Sequence, residues 1–190
     1  MLMRKFAKMM PAGALTRLAG RFGPDQRGVA AVEFAIILPL LLPIYFGTVE
    51  VTQGIVINRK VTQVTRTVAD LASQVASIDN NDMQNLLSAS VSVMTPYPTN
   101  TLQVVVSAIK IDGNGVATVV WSDARNGTAR PEKQAVTLPA ALRVNNTTLI
   151  MSEVRYTYTP TIGYVISGAI PLSDVIYMRP RLGETVTRRS

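Results

Sequence analysis

Between Val29 and Val51 the chain carries a run of about 23 residues in which only Glu33 and Glu50 are charged. As an α-helix this run rises roughly 34 Å, enough to cross a bilayer hydrocarbon core of about 30 Å. It therefore sets aside the start of the chain as a membrane-spanning helix and leaves the remainder to fold beside it. Pro39 and Pro43 lie four apart, on one face of that helix, where each removes a hydrogen-bond donor. Membrane helices accommodate such residues where neighbouring helices satisfy the freed carbonyls. An acid inside a membrane helix costs about 2.5–3.5 kcal/mol on insertion scales, so Glu33 needs a reason to be there. One reason is local: in a first helical turn, unpaired N–H groups and the helix dipole favour an anion. The other is a contact made with a partner.

The formal net charge of +7 is unevenly placed, because the leader 1–28 holds Arg4, Lys5, Lys8, Arg17, Arg21 and Arg27 against Asp25 alone. A basic block beside an apolar span keeps its flank in the cytoplasm, which predicts an inside N-terminus and an outside bulk. Arg59, Lys60 and Arg66 on the far side weaken this asymmetry without reversing it. Charge concentrated in a leader also argues against nucleic acid as the partner. A secretory signal peptide shares the basic flank, but its apolar core is about 7–15 residues and ends at a small-residue cleavage site. This run is longer and has no clear site of that kind after it, so retention in the membrane is expected.

The order Gly28, four residues, Glu33, Phe34, after a basic leader and before the apolar run, resembles the N-termini of type IV prepilins. Within that class, the stretch from Gly28 to Pro39 looks like the signature of TadE-like and TadG-like proteins of tight-adherence (Flp) pili, the likeness running from Arg27 to roughly Asp70. Weaker likenesses lie at Glu153–Pro160 and Tyr177–Arg181. The resemblance implies cleavage between Gly28 and Val29 by a prepilin peptidase, and a docking role for Glu33 with Phe34 beside it. It further implies other pilins or pseudopilins, an inner-membrane assembly platform and membrane lipid as partners, and a role in surface adhesion. The family includes both processed pseudopilins and unprocessed anchored proteins, so cleavage stays open, as does the choice between a pilus subunit and a single-span protein with an outer binding module. The expected location is the inner membrane, with the bulk in the periplasm or carried into a pilus.

Beyond the span, Ile57, Val61, Val64, Val68, Leu71, Val75 and Ile78 recur at alternating spacings of 4 and 3, a heptad stripe. The pattern predicts a stalk helix over 52–78 whose seam faces either a partner or the chain's own outer domain. For 79–190 the reading is a small antiparallel sheet with short helices, which makes the whole chain α+β. Asn81 with Gln84 resembles a capping box for a second helix running toward Pro96. Leu102–Ile111 and Val116–Ser122 flank the turn signal Asp112-Gly113-Asn114-Gly115 and read as a hairpin. Thr148–Tyr158 and Val175–Met178 read as further strands, Ile162–Ile170 as a packed loop, Ala124–Gln134 as an exposed loop, and Arg181–Ser190 as a frayed tail.

The chain has no histidine and no cysteine, which removes imidazole acid–base pairs, thiol nucleophiles, cysteine–zinc sites and disulfides. No phosphate-binding or dinucleotide fingerprint is present. Asp112, Asp123, Glu132 and Glu153 are scattered and read as solvated surface charges. The expectation is a structural protein: not an enzyme, with no metal, no cofactor, no nucleic acid and no small-molecule substrate.

Overall fold

The computed structural model describes residues 28–160, 163 and 167–189. The leader before Gly28 and residues 161, 162 and 164–166 of the predicted loop lie outside these. An α-helix, α1, covers Val29–Ser73 and includes Pro39 and Pro43. By compactness the chain divides after Phe46.

The described part of the first unit, Gly28 to Phe46, is α1 alone, with nearly every side chain exposed. Val32, Phe34, Ile36, Leu40, Ile44 and Tyr45 all face outward. A helix that is apolar all round and unburied has no solvent partner in water, which is the condition of a membrane span. It is the one helix among the described residues that is long and apolar enough to cross a bilayer.

The second unit begins at Gly47, inside the predicted span of 29–51. Its elements after α1 are β1 (Ser77–Ile78), α2 (Asn80–Ser92), β2 (Gln103–Ile111), β3 (Ala117–Arg125), a single 3-10 turn (Ala140–Leu142), β4 (Thr147–Tyr158), β5 (Ile170–Met178) and β6 (Thr187–Arg188). Four strands form an antiparallel sheet in the order β3-β2-β4-β5, and β1 pairs with β6 in parallel. The α+β reading holds.

One face of the sheet carries Val104, Val106 and Ala108 of β2, and Ile150, Val154, Tyr156 and Tyr158 of β4. These share a core with Ile57, Val61, Val64 and Val68 of α1 and with Met83, Leu86 and Leu87 of α2. The heptad seam therefore packs on the chain's own sheet. The stalk helix stops at Ser73, earlier than predicted, so Val75 is off the helix and part-exposed, while Ile78 is buried from β1. Spacing alone could not reveal this, since both residues keep the heptad beat after the helix has ended.

The second helix starts two residues before the predicted box. Asp79 is its N-cap, its side chain accepting from the Asp82 amide at 2.8 Å, and Asp82 accepts from the Asp79 amide at 3.3 Å. Its far end is met by Lys60 Nζ, which donates to the Val93 carbonyl at 3.0 Å.

The predicted hairpin is present, and Asp112 shapes its turn. Its Oδ1 accepts from the amides of Asn114 and Val116, each at 2.8 Å, while Gly115 takes φ +80°, a region open to glycine. Pairing between β2 and β3 jumps from Ala108–Trp121 to Ile109–Val119, so Val120 is an extra residue, a β-bulge. Without it, Trp121 would share a face with Val119. The bulge turns Trp121 into the helix-side core and leaves Val119 and Ala117 on the other face with Ile109, Ile111, Leu138, Leu149 and Met151.

Two predicted irregular segments are anchored. In the loop after β3, Arg130 grips Glu153 through two hydrogen bonds of 2.6 and 2.7 Å, and its amide donates to Ser122 Oγ at 3.0 Å. The tail is not frayed between Arg181 and Arg189. The Arg181 amide donates to the Ser73 carbonyl, the Thr187 amide to Ala76 and the Arg189 amide to Ile78. Val186 is fully buried, and the indole N–H of Trp121 donates to its carbonyl at 2.7 Å.

Candidate functional site

At the start of α1, Gly28 is exposed, and a Cβ placed on it would meet nothing within 4 Å. The bond from Gly28 to Val29 thus lies where an ordered helix begins. Val29 is 53% and Phe34 59% exposed. Glu33 is exposed and forms no ion pair among the described residues. Because α1 begins at Val29, Glu33 falls beyond the first turn, which contains no acid. The dipole of the helix end falls off within that turn, so capping is a weak reason for this carboxylate. Val29, Glu33 and Phe34 lie exposed on the first two turns of α1, and Gly28 directly precedes them.

The second acid of the apolar run has a different environment. Glu50 is 1% exposed, held in the second unit near Tyr158. The Tyr158 hydroxyl donates to Gln53 Oε1 at 3.2 Å. Burial and then the nearby Glu50 carboxylate raise the pKa of Tyr158. Sequence reading placed Glu50 at the edge of a span and could not anticipate a tyrosine 108 positions later arriving beside it.

The stalk residues do not form an outward interface. Ile57, Val61, Val64 and Val68 are at most 1% exposed, Leu71 is partly buried, and Ile78 lies in the same core. The scattered acids are not all solvated surface charges either. Asp123 accepts from Arg188 at 2.8 Å, Glu153 from Arg130, and Asp112 from backbone amides. Asp70 pairs with Arg181. The partners of Asp123 and Asp70 stand 65 and 111 residues away along the chain, which is why no spacing rule could find them. Hydrogen bonding to Asp123 and to Glu153 raises the pKa of Arg188 and Arg130 respectively, so both stay charged.

A polar basin of about 910 Å³ lies over β3 and β6, lined by Lys110, Asp123, Arg130, Glu132 and Arg188 among others. Asp123 and Arg188 neutralise each other there, and Arg130 is committed to Glu153. Among the described residues no group of three or more acids could hold a metal ion. The arrangement offers ion pairs that fasten segments together.

Comparison with known proteins gives a match to the family of TadE-like proteins over residues 28–70. No curated protein and no solved structure matches the chain. The matched segment opens at Gly28, takes in Glu33 and Phe34, and ends at Asp70, which Arg181 engages. Residues 28–70 of this chain are thus similar to TadE-like proteins, a family of pilus assembly systems.

Proposed function

We propose that this chain is a structural component of a tight-adherence pilus assembly system, a minor pilin or pseudopilin inserted in the inner membrane by α1. The observation that carries this reading is that the TadE-like match over residues 28–70 falls on α1, whose apolar first part is exposed and long enough to cross a bilayer. In this reading the basic leader stays cytoplasmic and the sheet-bearing unit lies in the periplasm. A prepilin peptidase cuts between Gly28 and Val29. Glu33 then pairs with a cation in a neighbouring helix, such as the new α-amino group of another subunit. An ion pair of that kind in a water-poor helix bundle links charge to order of assembly, since an unpaired acid there is costly. The role is non-enzymatic and supports piliation and surface adhesion.

Mass spectrometry of the N-terminus of the chain isolated from membranes tests this. A chain that begins at Val29 is the expected result. A retained leader overturns processing and favours the other reading, an uncleaved single-span protein whose outer unit is a binding module.

A further inference from the structure

On the second unit, α1 and β5 border a mainly apolar groove of about 410 Å³. Two rows of α1 residues line it, each at a spacing of four: Glu50, Gly54 and Asn58 in one, Val51, Ile55 and Arg59 in the other. Residues four apart stack on one helical face. The second row is thus an apolar strip with a guanidinium at its far end, some 12 Å along the axis from Val51. Ile170 and Leu172 of β5 form the opposite wall.

Three features point to an occupant. Val51 and Ile55 are about half exposed, and Val51 closes the expected span of 29–51. Arg59 is exposed and makes no ion pair among the described residues. Side chains on a helix lean toward its N-terminus, which here is the membrane side, so this long cation reaches back over the strip. Gly54 is the third feature. A glycine inside a helix costs roughly 1 kcal/mol relative to alanine. Yet no close contact demands one here, the nearest atom to a Cβ being Tyr158 Cε1 at 3.9 Å. Its effect is to leave the groove open.

We infer that this groove binds one phospholipid of the leaflet facing the sheet-bearing unit, an acyl chain lying along Val51, Ile55 and Leu172 and its phosphate meeting Arg59. The inference rests on the membrane insertion proposed above. A hydrocarbon track that starts at Val51, the last residue of the expected span 29–51, and finishes on a cation with no ion pair among the described residues matches an amphiphile with a tail and an anionic head. A helix from a second protein would need an apolar surface throughout and would leave Arg59 unanswered.

The test uses the full chain, reconstituted in vesicles of phosphatidylglycerol and phosphatidylcholine and then extracted in mild detergent for native mass spectrometry. Wild type is expected to retain one phosphatidylglycerol. Gly54→Leu, which fills the groove, and Arg59→Gln, which removes the charge-assisted contact, are each expected to lower retention about tenfold, with Arg59→Lys losing less. Circular dichroism of each variant checks the fold. A photoreactive benzophenone side chain placed at Ile55 is expected to label lipid. Unchanged retention in both Gly54→Leu and Arg59→Gln, or labelling of a protein instead of lipid, overturns the lipid site and leaves the membrane reading intact. A chain that does not enter vesicles at all overturns both.

Discussion

Glu33 and Glu50 sit seventeen positions apart in one apolar run, and their surroundings give them opposite parts. Glu50 is enclosed by its own unit, whereas Glu33 is presented on an uncovered helix. Glu33 forms no ion pair among the described residues, so its removal should be silent until subunits meet. Glu33→Ala is therefore expected to insert in the membrane at wild-type levels, by fractionation, and to fail to support pili, by electron microscopy. Normal piliation would end the docking role. The tyrosines give a second residue-level expectation. Burial raises the pKa of Tyr156, Tyr158 and Tyr177 above the usual value near 10. The folded state then holds protons that the unfolded state has lost, so stability is complete below about pH 10 and falls as pH rises through the folded-state values. Thermal melts across the alkaline range should drop accordingly, with tyrosinate absorbance appearing as the unit opens.

At the scale of elements, helix ends and strand partners decide what the sequence could say. The start of α1 and the turn at Asp112-Gly113-Asn114-Gly115 were legible, because each signal sits within a few residues of its effect. The cap of α2 was displaced by two residues, since Asp79-Asn80-Asn81 offers several candidates and only backbone geometry selects one. Asp79→Ala is expected to cost about 1 kcal/mol in a denaturant melt. Arg181–Arg189 read as a loose tail because its polar composition hides partners far away in sequence: Ser73, Ala76 and Ile78 for its amides, Asp70 and Asp123 for its arginines. Of the candidate site, the order Gly28, Val29, Glu33, Phe34 was legible as a motif. The heptad seam left two outcomes open in the sequence, a partner or the chain's own outer domain, and the sheet decides for the second by burying Ile57, Val61, Val64 and Val68. Arg188→Ala removes a part-buried pair with Asp123 and a contact to Asn80, and is expected to destabilise the unit by about 1–2 kcal/mol. Trp121 is the single tryptophan, so its emission reports on this region directly. A chain ending at Pro180 should show emission shifted to the red, from an indole that has lost both the Val186 carbonyl and its cover.

For the molecule as a whole, one helix of 45 residues holds both the candidate span and the spine of the second unit. Its first part has nearly every side chain exposed, and its later part shares a core with the sheet. The TadE-like match over residues 28–70 takes in the Gly28–Glu33–Phe34 motif, the apolar run and most of the seam that the sheet covers. The pairing of β1 with β6 joins positions 110 apart, Ser77 with Thr187 and Ile78 with Arg188. Contacts of that separation form late, because the loop must close before they reward it. During synthesis from the N-terminus onward, α1, α2 and the sheet are all made before the Val186 carbonyl that Trp121 bonds. The segment 186–189 is thus the last piece to close over Trp121, and the surface around that indole is finished only when the end of the chain is in place.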